Sequence, residues 1–241
     1  MTPHDTPDTT PPAGPAAGAT DLTARALLFD MDGTLVDSTV VVERTWRRFA
    51  ARHGLDAEAI LATSHGRRTG ETVAEHAPAG VDADAETARL VAEEVADVEG
   101  VVAVPGAAHL LAALAPGSWA LVTSAGRELA ERRMAAAGLP MPPVVVTADD
   151  VREGKPSPEG YLTAAAALGV DPAEAVVFED AEAGLRAALA ARARTVVVGG
   201  HTSPAASELI RVADFRQVGV RAEGEQGLRL TFAPSGGGAR A

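Results

Sequence analysis

The stretch Ala26-Leu27-Leu28-Phe29-Asp30-Met31-Asp32-Gly33-Thr34 decides the fold, because an apolar run ends in two carboxylates separated by a single residue and then in a glycine turn. A short apolar run between polar residues predicts a buried strand of a parallel sheet, and such sheets bind ligands beyond the carboxyl ends of their strands. Asp30 and Asp32 leave the strand two residues apart, so both side chains point to the same side. We therefore expect a ligand site at this strand end.

The composition limits the possible partners. The chain has 241 residues, no cysteine and a formal net charge of -12. Its length suits one large domain or a domain with an insertion. The negative charge disfavours nucleic acid and anionic membrane surfaces as partners, because both would repel it. We find no run long enough to span a membrane and no secretory signal in the first residues, so we expect a cytoplasmic protein. Without cysteine the chain has no disulfides, and we expect a monomer or weak dimer.

Apolar runs typical of buried strands recur along the chain, and alanine-rich helical stretches separate the later ones. The runs are 26–30, 119–124, 144–147, 175–180 and 195–199. This alternation predicts an α/β fold with a doubly wound parallel sheet. Near the C-terminus, 218–221 and 228–232 flank a glycine-containing turn and predict an edge hairpin.

One interval breaks the alternation of strands and helices. Between Asp37 and Pro105 the pattern is helical only, at 40–52, 69–76 and 85–98. We interpret this interval as an all-helical cap resting over the catalytic edge of the core. The expected organisation is a disordered tail at 1–22, a core at 23–37 and 105–232, a cap at 38–104 and a flexible tail at 233–241.

Two pairs of acidic residues end predicted strands. Asp30 and Asp32 follow the first strand, and Glu179 and Asp180 close the run that begins at Ala175. Carboxylates are ligands that Mg²⁺ prefers, so we expect a magnesium site that Asp30 and Asp32 face, with Asp180 as a ligand and Glu179 supporting directly or through water. Asp30 is the candidate nucleophile that forms an aspartyl-phosphate, and Asp32 is the candidate general acid and base. The alternatives are a solvated turn at the first pair and a helix cap at Asp180, and the cap is compatible with metal binding.

A single lysine and a pair of hydroxyl residues complete the candidate site. Of the 21 Lys and Arg residues, only Lys155 is a lysine, and it lies in the rigid turn Gly154-Lys155-Pro156-Ser157-Pro158. Lysine is a compact charge suited to a crowded phosphate, so we expect Lys155 to bridge the transferred phosphate and Asp30. The alternative is a lone surface lysine. Thr123 and Ser124 close another strand, where they form either an anion site or an ordinary helix cap.

In this order the motifs resemble the haloacid dehalogenase superfamily, in the subclass with a helical cap inserted after the first strand, from about residue 25 to residue 232. The resemblance implies the same fold, with Asp30 as the nucleophile and Asp180 as a metal ligand. It also implies that Asp32 is the general acid and base and binds Mg²⁺ through its carbonyl. The expected phosphate-binding residues are Thr123, Ser124, Lys155 and Gly33.

Closer similarity lies in the segments Ser64-His65-Gly66-Arg67-Arg68-Thr69, Trp119-Ala120-Leu121-Val122-Thr123-Ser124 and Val177-Phe178-Glu179-Asp180-Ala181. They resemble phosphatases of glycerol 3-phosphate and 2-deoxyglucose 6-phosphate. This implies Mg²⁺-dependent hydrolysis of a small sugar or polyol phosphate. The expected substrate contacts from the cap are His65, Arg67 and Arg68, and a solvated basic loop is the alternative. Trp46 has the spacing of a cap-core residue.

Two other functions stay open on the sequence. A phosphomutase of the β-phosphoglucomutase kind would use the same core, and the cap segment 64–69 favours the phosphatase over it. A phosphate-binding regulator without catalysis is the second alternative. The full set of motif residues is present, which argues against it.

Overall fold

The computed structural model describes residues 20–224 and 227–233. The strands are β1 Thr20–Ala24, β2 Ala26–Phe29, β3 Val36–Asp37, β4 Val102–Ala103, β5 Trp119–Val122, β6 Val144–Val146, β7 Ala175–Glu179, β8 Arg194–Val198, β9 Ile210–Val212, β10 Val218–Glu223 and β11 Gly227–Phe232. The helices are α1 Thr39–His53, α2 Ala57–Ser64, α3 Thr69–His76, α4 Ala83–Ala96, α5 Ala107–Ala112, α6 Arg127–Ala136, α7 Glu159–Leu168 and α8 Glu182–Ala190.

A six-stranded parallel sheet forms the core, in the order β6-β5-β2-β7-β8-β9. Its central strands are buried on both faces, which explains their continuous apolar runs. Phe29 of β2 stacks on Phe178 of β7 with ring centroids 5.0 Å apart, and both rings are fully buried. The predicted doubly wound parallel sheet is confirmed. Because β5, β2 and β7 are parallel neighbours, the residues that follow them meet at one edge.

The four helices α1 to α4 form the predicted helical insert, which leaves the core after β3 and returns through β4. The two short strands pair antiparallel, Val36 with Ala103 and Asp37 with Val102. The helices bury their own apolar cluster, which includes Trp46, Phe49, Ile60, Val73 and Leu90. The sequence pattern did not predict α2, β3 or β4. The cap boundaries at 38 and 104 stay a prediction.

A second, antiparallel sheet has the order β1-β11-β10. The predicted C-terminal hairpin forms from β10 and β11, and it pairs with β1 and not with the parallel sheet. The prediction of a disordered tail extends too far, because residues 20–22 belong to β1. The side chain of Leu22 packs on the main apolar cluster, which local composition could not indicate. The rest of that tail, 1–19, and the residues 234–241 lie outside the described residues.

The described helices were also compared with the requirements of a bilayer. Within 20–224 and 227–233, no helix combines the length and the apolarity that a membrane span requires.

Candidate active site

Three carboxylates converge at the carboxyl edge of the parallel sheet. Asp30 follows β2 and donates its backbone N–H to the Phe178 carbonyl at 3.1 Å, which places it beside the end of β7. One carboxylate oxygen of each of Asp30, Glu179 and Asp180 lies within 4.8 Å of the others. They are three of the four carboxylates that the sequence predicted at two strand ends, and the carboxylate of Asp32 is not part of this group. An all-oxygen donor set of this kind fits a hard divalent cation.

Lys155 lies among these carboxylates and is itself buried. Its Nζ atom is 2.5 Å from Asp30 Oδ1 and 2.6 Å from Glu179 Oε1, and it also donates to the Val122 carbonyl at 3.3 Å. Burial alone lowers the pKa of Lys155, but the charges of Asp30 and Glu179 raise it by more, so the net pKa lies above its ordinary value. Lys155 is therefore an ammonium in contact with the candidate nucleophile.

Glu179 holds Lys155 in place. Its Oε1 accepts from Lys155 and, at 2.9 Å, from the hydroxyl of Tyr161. Its Oε2 accepts from the backbone N–H groups of Asp180 at 2.9 Å and Ala181 at 3.2 Å. Both oxygens are thus engaged with donors in a side chain that is 0% exposed. These contacts give Glu179 an anchoring role, and its support of a metal, directly or through water, stays a prediction.

The cluster has more negative than positive charge. Burial raises the pKa of Asp30 to about 8, against the lowering effect of Lys155. Burial, followed by the charges of Glu179 and Asp30, also raises the pKa of Asp180 well above its ordinary value. Burial is the largest cause of both pKa shifts, and the excess of three carboxylates over one ammonium adds to it. A divalent cation at Asp30 and Asp180 would supply the missing positive charge and favour the ionised carboxylates.

Gly33 leaves room for Asp180. Gly33 has a φ of +84°, and a Cβ atom there would lie 2.5 Å from Asp180 Cγ and closer still to Oδ2. Thr34 donates from Oγ1 to Asp180 Oδ1 at 3.4 Å. The glycine of the first motif therefore lets the segment after β2 approach the carboxylate of the segment after β7.

Asp32 lies between a hydroxyl and a guanidinium. Its Oδ1 accepts from Ser38 Oγ at 2.6 Å, and its Oδ2 is 2.9 Å from Arg133 Nη1. Arg133, on α6 of the core, reaches Glu94 of the cap with Nη2 at 2.8 Å, and Thr69 donates to the same Glu94 carboxylate at 3.1 Å. Arg133 and Glu94 are functional residues that no sequence motif indicates. An arginine and a glutamate in ordinary helical patterns carry no local sign that they will be buried together.

The hydroxyl pair after β5 lies at the same edge. The Thr123 side chain is buried, and its Oγ1 accepts from the backbone N–H of Ala125 at 3.1 Å. Ser124 Oγ donates to the Gly66 carbonyl of the cap at 2.8 Å. The structure therefore places Thr123 at the strand end, as expected, and makes Ser124 a contact between core and cap.

The three predicted cap residues have different surroundings. His65 and Arg67 line the cleft, which is the cavity between cap and core that contains Asp30. Arg67 Nη1 is 2.5 Å from Glu75 Oε2. The guanidinium of Arg68 instead donates to the core carbonyls of Ala148, Val151 and Arg152 at 3.2, 2.7 and 3.0 Å. Arg68 is not among the residues that line the cleft. The structure thus makes Arg68 a contact between cap and core, and its substrate contact stays a prediction.

The cleft has a volume of about 140 Å³ and contains the candidate nucleophile, Asp30. Its core lining includes Asp30, Asp32, Gly33, Thr123, Ser124, Arg133 and Asp180. Its cap lining includes Trp46, Ser64, His65, Arg67, Thr69 and Glu94. Trp46 thus borders the cleft as well as packing edge-on against Phe49 in the cap, with ring centroids 5.7 Å apart.

This combination of sheet, insert and acidic edge can be compared with known families. The family model of haloacid dehalogenase-like hydrolases matches residues 24–192. The chain belongs to the haloacid dehalogenase-like hydrolases. The resemblance expected from the motifs is confirmed.

The chain is similar to proteins named as a phosphatase and a phosphohydrolase. Hexitol phosphatase A of Escherichia coli is 46% identical over 179 residues, which cover 72% of this chain and 82% of the relative. Glycerol-1-phosphate phosphohydrolase 2 of Saccharomyces cerevisiae is 37% identical over 187 residues, which cover 73% of this chain and 74% of the relative. The crystal structure of CbbY from Rhodobacter sphaeroides with xylulose-(1,5)bisphosphate is 29% identical with a TM-score of 0.69, and the match covers 81% of this chain and 96% of that chain.

Proposed function

We propose that this protein is a Mg²⁺-dependent phosphatase that hydrolyses small phosphorylated sugars or polyols through an aspartyl-phosphate intermediate. The observation that carries the proposal is the contact of Asp30 with Lys155 at 2.5 Å beside Asp180, at one sheet edge. Relatives named as hexitol and glycerol-phosphate phosphatases support the substrate class. The phosphomutase alternative is not favoured by these names.

The first half of the reaction forms a bond from Asp30 to phosphorus. Because Asp30 Oδ1 accepts the hydrogen bond from Lys155, we assign the attack to Oδ2. The bond between phosphorus and the ester oxygen breaks, and Asp32 gives a proton to the leaving alkoxide. Lys155 offsets the charge of the carboxylate and the phosphate that must approach each other. We assign phosphate binding also to Thr123 and Gly33, which line the cleft together with Asp30.

The second half returns the protein to its starting state. Asp32 takes a proton from a water molecule, whose oxygen attacks phosphorus and releases inorganic phosphate from Asp30. In the structure, Ser38 and Arg133 contact the two oxygens of Asp32 and orient its carboxyl group for these proton transfers. The two steps balance, since the proton given to the alkoxide is replaced by one from water.

Asp30, Asp180 and the carbonyl of Asp32 are the residues that would hold Mg²⁺. When bound, the ion supplies positive charge for the phosphate oxygens and the surrounding carboxylates. We further propose that the protein is cytoplasmic, a monomer or weak dimer, and has no nucleic-acid or membrane partner. The net charge of -12 supports the last point.

The Asp30→Asn variant tests this function. The amide keeps the size of the side chain and an oxygen for Lys155 but cannot form the phosphorylated intermediate, so release of phosphate from glycerol 3-phosphate and sugar phosphates should stop. Asp37→Asn is the control, because Asp37 is an exposed carboxylate on the same segment and is not part of the cleft lining. We expect the control to retain activity, and we expect wild-type activity to disappear with a chelator and return with Mg²⁺. Phosphate release by a folded Asp30→Asn variant would contradict the mechanism.

A further inference from the structure

Two buried polar atoms of the cleft have no partner. Among the described residues, no hydrogen-bond partner lies near Ser64 Oγ of the cap or Arg133 Nε of the core. Both residues line the cleft that contains Asp30. A buried polar group without a partner costs free energy, so both atoms favour a ligand that can hydrogen-bond to them.

The charge around Arg133 restricts the kind of ligand. Its guanidinium is 2.9 Å from Asp32 Oδ2 and 2.8 Å from Glu94 Oε1, and its side chain is 3% exposed. Two carboxylates therefore face one cation, and this part of the cleft has no spare positive charge. The other guanidinium of the cleft, that of Arg67, is already paired with Glu75.

We propose that Ser64, Glu94 and Arg133 form a subsite for uncharged hydroxyl groups of the substrate. The protein then selects monophosphates of neutral polyols over esters that carry a carboxylate or a second phosphate. This inference rests on the proposed function and names the part of the substrate that the cap and α6 recognise.

The chemistry of a hydroxyl group matches this subsite. A hydroxyl donates one hydrogen bond and accepts others, so it can donate to the Glu94 carboxylate and accept from Arg133 Nε or Ser64 Oγ. A carboxylate or phosphate in the same place only accepts, and it would face the carboxylate of Asp32 and the buried carboxylate of Glu94. Like charges that are in contact repel each other strongly when they are poorly solvated.

The test compares two carboxylates of the same helix. Glu94→Gln removes the charge of the proposed subsite. Glu86→Gln is the matched control, since Glu86 is also a buried carboxylate of α4 paired with an arginine, Arg52 at 2.7 Å, but does not line the cleft. The substrates are glycerol 3-phosphate, which carries neutral hydroxyls, and 2-phosphoglycolate, which carries a carboxylate.

Wild-type protein should prefer glycerol 3-phosphate in kcat/KM. Glu94→Gln should move the ratio of the two kcat/KM values toward 2-phosphoglycolate by about tenfold or more, because a repelling charge is lost. Glu86→Gln should leave the ratio as in the wild type. Ser64→Ala should lower kcat/KM for glycerol 3-phosphate relative to 2-phosphoglycolate by about tenfold, the effect of one lost hydrogen bond in a buried site. Equal ratios in Glu94→Gln and Glu86→Gln would overturn the subsite.

A binding measurement separates failure of the subsite from failure of the proposed function. Calorimetry in the Asp30→Asn background gives the affinity for each ester without turnover. Tighter binding of glycerol 3-phosphate, with the preference reduced by Glu94→Gln, supports the subsite. If the wild type hydrolyses both esters and binding shows no preference, the subsite alone is wrong. If neither ester binds and neither is hydrolysed, the proposed function and the subsite are both wrong.

Discussion

Replacing Gly184 by alanine should displace the carboxylate of Glu179, which holds Lys155 in the candidate active site. Gly184 lies in the first turn of α8, directly under the carboxylate of Glu179. A Cβ atom at this position would be 2.5 Å from Glu179 Oε2 and closer still to Oε1. The carboxylate cannot stay where it is, and neither can its contacts to Lys155 and Tyr161.

Two opposing contributions set the change in the free energy of unfolding. Alanine is favoured over glycine within a helix by at most about 1 kcal/mol, which would stabilise the variant. Breaking a buried ion pair costs about 3–5 kcal/mol, and the 2.6 Å contact of Glu179 with Lys155 is such a pair. We therefore expect Gly184→Ala to be less stable by about 2–4 kcal/mol, the difference of these two figures.

Urea unfolding and phosphatase assays measure the two consequences. The matched control is Gly70→Ala, because Gly70 is also in the first turn of a helix, but a Cβ there would meet only the Thr87 side chain, with Cγ2 at 3.3 Å and Oγ1 at 3.6 Å. The control should stay within about 1 kcal/mol of the wild type. A Gly184→Ala variant with wild-type stability and activity would refute the reasoning, since Glu179 would then not depend on the space that Gly184 leaves.

Two further predictions concern the cap and its contact with the core. Hydrogen bonds from Arg44 hold the pKa of Asp97 below its ordinary value of 3.8, so its ionised form stabilises the fold above that pH. In urea unfolding, Asp97→Asn should therefore be less stable than the wild type at pH 7, and the difference should shrink as the pH falls below 3.8; a constant difference would exclude this contribution. Arg68→Ala should speed amide hydrogen exchange in 148–152, whose carbonyls Arg68 holds, and unchanged exchange would show that this contact does not restrain the segment.

The strands and the acidic strand ends were predictable because their signals are local. A continuous apolar run such as Ala26–Phe29 indicates a strand buried on both faces, whatever its neighbours are. A parallel sheet puts Asp30 and Asp180 at the same carboxyl edge, and the pairing of β2 with β7 brings them together. The same reasoning failed for β3 and β4, because two residues are too few to show a period.

The pairing of β1 was not predictable from local composition. Its partner β11 lies at the other end of the chain, and Leu22 pairs with Leu230 across the two strands. The hydrogen bonds and the apolar contacts of β1 therefore depend on a strand far away in the sequence, which local composition cannot show. For that reason the local composition predicts a tail at 20–22, where the structure has the start of β1.

The amino-acid sequence by itself determined the layers of the fold and which residue types stand at each strand end, because hydrophobic periodicity and motif spacing act over a few residues. Only the tertiary structure decided what each charged side chain touches. Glu179 anchors Lys155, Arg68 holds core carbonyls, and Arg133 joins Asp32 to Glu94. The physical reason is that the role of a buried charge depends on the donors and acceptors around it, and folding brings these together from distant parts of the chain.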